Sequence, residues 1–169
     1  MRVELVKEFD DGLVDGLAEV LVDCVASGAS VGFVGVLAQE RARAWWRSVI
    51  GDPDALTWVA RDETNRVVGT VRLALATQDN GPHRAEVVKL LVHRDARGKG
   101  CASALMAALE DTARALGRRV LVLDTQTGSL AEGLYARRGW QRVGTVDDFA
   151  LTPDGVLAPT TIMVKHLAA

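Results

Sequence analysis

The chain is poor in the residues that build metal centres and disulfide frameworks. Its 169 residues include 2 cysteines and 3 histidines. Cys24, Cys101, His83, His93 and His166 are scattered, with no metal-ligand or redox spacing among them. No metal site is expected. Charge of one sign is also lacking: 20 basic against 22 acidic residues leave a net charge of -2. That balance provides no global field for nucleic acid or an anionic membrane. No apolar run approaches the ~18 residues of a membrane span, and Met1–Glu4 opens no signal-peptide core. What remains is ordinary globular material, 49% hydrophobic and 25% charged. The expectation is one cytoplasmic domain over residues 1–169.

Periodicity divides the chain into alternating strands and helices. Val3–Lys7 reads as a strand and 10–26 as a helix. On that helix Leu13, Leu17, Leu21 and Val25 form an apolar stripe. Asp11, Asp15, Glu19 and Asp23 form an opposite acidic stripe, read as a solvated face. A glycine-punctuated loop, 27–35, carries Val31, Phe33 and Val34, and precedes a helix over 36–49 containing Trp45 and Trp46. Strands are expected over 56–61, 67–76 and 85–93. The last of these is nearly continuous in apolar residues, as in a strand covered on both faces. A helix over 98–116 leads to a buried strand, 120–123, running on into Asp124 and Thr125. This strand–helix–strand unit predicts a right-handed crossover between parallel strands. A short helix over 129–138 and strands over 140–146 and 160–165 complete the chain. The whole reads as a mixed α/β (α+β) fold.

The most informative stretch is Val92-His-Arg-Asp-Ala-Arg-Gly-Lys-Gly-Cys-Ala-Ser103. A central strand ends, a short loop follows, and glycines open a helix. Free N–H groups and the helix dipole make such an end an anion site. Gly98 and Gly100 admit a bulky anion to the backbone, while Arg97 and Lys99 add charge. A Walker loop is absent. A dinucleotide fingerprint would need a third glycine where Ser103 stands, although Asp124 occupies the place of a ribose-binding acid. The pattern Arg/Gln-x-x-Gly-x-Gly/Ala is met by Arg97, Gly100 and Ala102.

That pattern, following a central strand and opening a helix, resembles the acetyl-CoA loop of the GNAT N-acetyltransferase superfamily. Ala131, Tyr135, Gly139 and Trp140 resemble a second signature of that family. Its usual asparagine is replaced by Gly128, for which Thr127 or Ser129 could substitute. Further stretches resemble the tabtoxin-resistance acetyltransferases within the family. They are Ser27–Phe33, Asn80-Gly81, Arg84–Val87, Lys89-Leu90, Leu123–Thr125, Gly128-Ser129 and Thr152–Gly155. The resemblance implies a GNAT fold, a mostly antiparallel sheet splayed between two parallel central strands, with helices on both faces. It implies acetyl-CoA as cosubstrate, held by Leu90, Leu91, Val92, Arg97, Gly98, Lys99, Gly100, Cys101, Ala102, Ser103 and Tyr135. An oxyanion donor is expected at the backbone of Leu90 or Leu91.

In the same reading Glu86 and Asp124 are the candidate bases and Tyr135 the acid that reprotonates the departing thiolate. Bland alternatives stand beside each: an ion pair with Arg84 for Glu86, loop capping for Asp124, and a packed core aromatic for Tyr135. Cys101 is expected to pack inward rather than carry an acyl group. Val31, Phe33 and Trp46, with Glu86 and Asp124, are expected to line the acceptor pocket. The acceptor itself is expected to be a small amino-acid-like amine, such as a tabtoxin-like β-lactam toxin. An aminoglycoside, a protein N-terminus, or a non-catalytic CoA sensor are the alternatives. A homodimer is compatible with all of these.

Overall fold

A computed structural model describes residues 1–168. Seven strands form one sheet in the order β1-β2-β3-β4-β5-β7-β6. The strands are β1 (Arg2–Leu5), β2 (Ala55–Arg61), β3 (Val67–Leu75), β4 (Arg84–Val92), β5 (Val120–Gln126), β6 (Gln141–Leu151) and β7 (Leu157–His166). All pairings are antiparallel except β4 with β5. The helices are α1 (Asp11–Ala26), α2 (Gln39–Val49), α3 (Cys101–Ala115) and α4 (Leu130–Arg137). None of the described helices is long and apolar enough to cross a membrane.

Side-chain alternation sorts the sheet into two faces. Ala85, Val87, Leu121, Leu123 and Met163 pack with Leu105, Met106 and Leu109 of α3 in one core cluster. Val59, Val67 and Leu91 pack with Leu17, Leu21 and Trp46 of α1 and α2 in another. The α3 helix lies close over β3. A Cβ placed on Gly69 would sit 2.8 Å from Cys101 Sγ and 3.2 Å from the Leu91 carbonyl oxygen. Glycine is required there by contact.

The central feature is what the parallel pair does not do. β4 and β5 pair only at Arg84–Val120, Ala85–Leu121 and Glu86–Val122. Beyond Glu86 the strands part, and β4 continues to Val92 against β3 alone. The expectation of a sheet splayed between two parallel strands is met. A second irregularity lies in β4. Thr70 faces Leu91 while Arg72 faces Val88, so β4 carries an extra residue. Lys89 absorbs it at φ 54, in the left-handed region that a lysine rarely occupies. The sequence read as an uninterrupted strand through this point.

The other departures are local. α2 begins at Gln39 rather than residue 36, because the preceding loop is drawn aside: the Gly35 N–H donates to the Pro153 carbonyl at 2.8 Å. β6 and β7 extend well beyond the expected spans, to the Thr152–Val156 tip. The Ser30 hydroxyl reaches the Leu151 carbonyl near that tip at 3.4 Å. The acidic stripe of α1 is not merely solvated. Asp11, Asp15 and Glu19 pair with Arg47, Arg43 and Arg66 at 2.8, 2.6 and 2.5 Å.

Candidate active site

The loop between β4 and α3 is shaped by two left-handed glycines. Gly98 and Gly100 have φ 72 and 80, and a Cβ on either would meet no atom within 4 Å. The space above the backbone is open, and no side chain caps α3. The first helical acceptor is used by Ala104, whose N–H donates to the Gly100 carbonyl at 3.0 Å. The N–H groups ahead of it, at Cys101, Ala102 and Ser103, are left for a ligand. A left-handed Gly100 followed directly by helical Cys101 is the pair of backbone conformations that makes an anion nest. The loop therefore fits the pyrophosphate of a CoA thioester on its own geometry.

Three of the residues expected to hold cofactor have side chains engaged with the protein itself, which leaves only their backbone for a ligand. Burial raises the Cys101 thiol to about 11, and its sulfur packs on Gly69. The Lys99 ammonium is bound to the Asp95 carbonyl at 2.7 Å. The Arg97 guanidinium turns back from the nest: Nε donates to the Val92 carbonyl at 3.0 Å, and Nη2 lies 3.6 Å from Asp23.

Asp23 organises this whole turn. Only 8% exposed, it accepts from the Arg94 backbone N–H at 2.9 Å and from the Arg94 side chain, with His93 Nε2 at 3.7 Å. Burial pushes its carboxyl upward, but the Arg94 hydrogen bonds and the His93 and Arg94 charges outweigh that and hold it below the usual range. Reading the acidic stripe as one solvated face missed Asp23. Its position at the buried end of the α1 stripe was the available signal.

The strand edge facing the split follows from one hydrogen bond. The His93 N–H donates to the Val68 carbonyl at 2.9 Å, and the register pairs Gly69 with Val92 and Thr70 with Leu91. Hydrogen-bonded and non-hydrogen-bonded pairs alternate in antiparallel sheets. Leu91 therefore turns its N–H and carbonyl into the β3 ladder. Val92 turns both of its groups into the split, as Leu90 does its carbonyl. The Val92 carbonyl is already taken by Arg97 Nε and by the Cys24 thiol at 3.5 Å. Along the regular part of this edge the open groups are the Leu90 carbonyl and the Val92 N–H. Of the two expected oxyanion donors, Leu91 is committed to the ladder, which leaves the N–H of Leu90 at the bulge.

Alternation places Glu86 and Asp124 together on the α1–α2 face, since their neighbours Ala85, Val87, Leu121 and Leu123 face α3. Both carboxylates are solvent-accessible and neither makes an ion pair among the described residues. The expected Arg84 partner of Glu86 is not engaged. Burial and the Asp124 charge push the Glu86 carboxyl up. Asp124 Oδ2 lies 3.1 Å from the Thr160 hydroxyl, which also reaches the Thr125 carbonyl at 3.0 Å. A cleft of about 290 Å³ opens beside Glu86, between Ala74, Leu75 and Val122.

Tyr135 sits on the opposite face, in the α3 cluster, 6% exposed. Burial, reinforced by the Asp124 charge, pushes its phenol far up, so it keeps its proton throughout the neutral range. Its ring packs 5.8 Å from Trp140. Trp140 in turn is held by buried Glu110, which also takes Arg138 at 3.2 Å and Lys165 at 2.9 Å. Glu110 is a positioning residue that periodicity alone did not single out. Thr127 and Ser129 are both occupied. Thr127 bonds the Thr161 hydroxyl at 2.9 Å, and Ser129 caps α4 through the Glu132 N–H at 3.2 Å.

The acceptor-side aromatics need one correction. Trp46 is fully buried in the α1–α2 cluster and cannot line a pocket. Its neighbour Trp45 is half-buried, with its ring 6.0 Å from that of Phe33 and 5.1 Å from Lys89 Nζ. Phe33 is buried behind it, and Val31 is half-buried. Lys89 Nζ donates to the Val31 carbonyl at 2.9 Å. Burial lowers the ammonium below its usual value, against the pull of Asp124 and Glu86.

The split thus joins an anion nest and a protonated phenol, with two carboxylates on the other face. Residues 19–140 match the acetyltransferase (GNAT) family profile. The chain is 29% identical over 142 residues to an uncharacterized N-acetyltransferase of the hisH-hisA intergenic region of Azospirillum brasilense, covering 83% of this chain and 84% of that one. Among solved structures, the ribosomal-protein-alanine N-acetyltransferase of Brucella melitensis superposes with TM-score 0.80 at 21% identity, over 99% of this chain and 100% of that chain. A Sinorhizobium meliloti GNAT phosphinothricin acetyltransferase bound to acetyl-CoA gives 0.80 at 19%, over 99% and 90%. The chain belongs to the GNAT acetyltransferase family, whose acyl donor is acetyl-CoA.

Proposed function

We propose that this N-acetyltransferase acts on the amine of a small amino-acid-like molecule, by direct transfer, in a cytoplasmic setting. The observation that carries the reading is the pair of unpaired carboxylates, Glu86 and Asp124, on the face opposite Tyr135. Acetyl-CoA supplies an acetyl thioester when bound. Its pyrophosphate fits the nest at Gly98–Ser103, and its amide-bearing arm fits the open Leu90 carbonyl and Val92 N–H.

An ammonium acceptor must lose a proton before it can attack, and a carboxylate of ordinary pKa is a weak base for it. Glu86, raised by burial and by its neighbour, takes that proton, directly or through a water. Asp124, bridged to Thr160, orients the amine. The Leu90 N–H faces the oxyanion. Tyr135 gives its proton to the departing sulfur. The burial that holds that proton on the phenol would also raise the basicity of a thiolate beside it.

Tabtoxin-like amino acids are the specific acceptors favoured by the matching stretches of sequence. The likeness to a phosphinothricin acetyltransferase is compatible with the same chemical class. The test is thiol release with acetyl-CoA across four amine sets: free and toxin-type amino acids, aminoglycosides, peptides with free N-termini, and simple amines. Turnover concentrated in the first set supports the reading. Turnover only with aminoglycosides or peptides overturns the acceptor assignment. Acetyl-CoA binding without turnover on any amine would identify a sensor.

A further inference from the structure

Four charged side chains on the α1–α2 face of the split are held apart instead of being paired. Glu86 and Asp124 project from β4 and β5, and neither makes an ion pair. Lys89 projects from the bulge with its ammonium over the Trp45 ring at 5.1 Å, and its one hydrogen bond among the described residues goes to the Val31 carbonyl at 2.9 Å. Arg72 of β3 stands across from Val88 and is buried. Its Nη2 donates to the Val49 carbonyl at 2.6 Å and its Nε to the Thr57 hydroxyl at 3.2 Å. No carboxylate of the described residues lies within 4 Å of either cation. Elsewhere the chain pairs such groups readily, as at Asp23 and Glu110.

A half-buried ammonium without a counter-ion is costly, and here it is kept at a backbone angle that a lysine rarely adopts. The bulge sets the position: it adds a residue to β4 and brings Lys89 onto the face carrying the carboxylates. One of three ammonium donors is used by Val31.

We propose that Lys89, backed by Arg72, receives the carboxylate of a zwitterionic acceptor whose amine faces Glu86 and Asp124. The missing counter-ion then arrives with the substrate. This rests on the amino-acid reading above and sharpens it. A peptide N-terminus offers an amide where a free amino acid offers a carboxylate, and a polycation would meet two like charges. Both are disfavoured by the same two residues.

The probe is a matched set: free α-amino acids, including phosphinothricin and methionine sulfoximine, and their α-carboxamides. Wild-type enzyme should prefer acids over carboxamides by roughly 100-fold or more in kcat/KM, the scale of a lost charged contact in a desolvated site. Lys89→Met should reduce that preference to within roughly threefold, chiefly through the acid's KM, while Lys89→Arg restores much of it. Acetyl-CoA affinity and the thermal midpoint of each variant serve as fold controls. If Lys89→Met does not fold, the charge-removing Lys89→Gln must still reduce the acid–amide ratio. An unchanged ratio in a folded Lys89→Met or Lys89→Gln variant overturns the proposal while leaving amino-acid acetylation intact. If wild type acetylates carboxamides as well as acids, the carboxylate contact is absent. If it acetylates neither, the acceptor reading itself falls, and this proposal with it.

Discussion

The two halves of the split are made of different material. As proposed, the cofactor side is built from backbone: left-handed Gly98 and Gly100, the free N–H groups of Cys101–Ser103, and the Leu90–Val92 edge. The proposed acceptor side is built from side chains on five separate elements, β3, β4, β5, α2 and the loop before α2. A backbone site depends on local conformation, which short motifs encode. A side-chain site depends on register, bulges and helix phase, which they do not. One half can therefore stay constant while the other changes its substrate.

The sharpest way to break that contrast is at the residue joining the halves. Tyr135→Phe should lower kcat roughly 10–1,000-fold, around the usual contribution of a general acid, with acetyl-CoA affinity kept. A fully active variant would leave catalysis to proximity. On the backbone side, Gly100→Val forces a β-branched residue into a left-handed angle and fills open space above the nest. The KM for acetyl-CoA should rise about 10–100-fold, since one to three kcal/mol of strain and lost contact is expected. An unchanged KM would remove the nest from the site.

On the acceptor side the expected signature is in pH. Burial and Asp124 raise Glu86, so the acidic limb of the wild-type profile should lie above the ordinary carboxylate range. Glu86→Gln should flatten that limb. Asp124→Asn removes a negative neighbour and should move it to lower pH. Two wild-type profiles would take both carboxylates out of proton transfer.

Asp23 tests whether the nest needs a side-chain support. Asp23→Asn should cost roughly 2–4 kcal/mol, in the range for breaking a buried charge network, and raise the KM for acetyl-CoA severalfold. Its folded pKa is depressed. The stability it contributes is therefore fully present above the unfolded aspartate value and is lost as pH falls through the lower, folded one. Urea titrations at neutral and strongly acidic pH should show the variant and wild type converging in acid. The smallest effect belongs to Cys101→Ala. A thiol raised to about 11 and packed on Gly69 is no nucleophile at neutral pH, so kcat should change by less than about threefold. A large loss with unchanged stability would reopen a covalent route.

The same contrast explains what could be read from the sequence. The helices were legible because Leu13, Leu17 and Leu21, or Leu105 and Leu109, repeat at helical spacing. The nest was legible because Gly98 and Gly100 punctuate a strand-to-helix turn. The adjacent Trp45 and Trp46 could not be sorted, because the phase of α2 is set by packing on α1, and Trp46 went inward. The bulge was hidden within an apolar run, where Lys89 was the one discordant residue. Asp23 resembled its three surface-pairing neighbours on α1, although it alone meets the loop before the nest. The length of β6 and β7 escaped notice because β6 is largely exposed and carries no clean alternation.

The three rungs between β4 and β5 also have a mechanical meaning. Strands β1–β4 and β5–β7 are two slabs riveted at one end, with α3 as the strap between them. A ligand that binds only the folded seam closes this structural gap as it loads the enzyme. At a hundredfold excess over its dissociation constant, such binding adds about 2.7 kcal/mol to stability. The loaded protein should therefore be a measurably stiffer object than the empty one, and its melting temperature a gauge of cofactor supply that needs no acceptor.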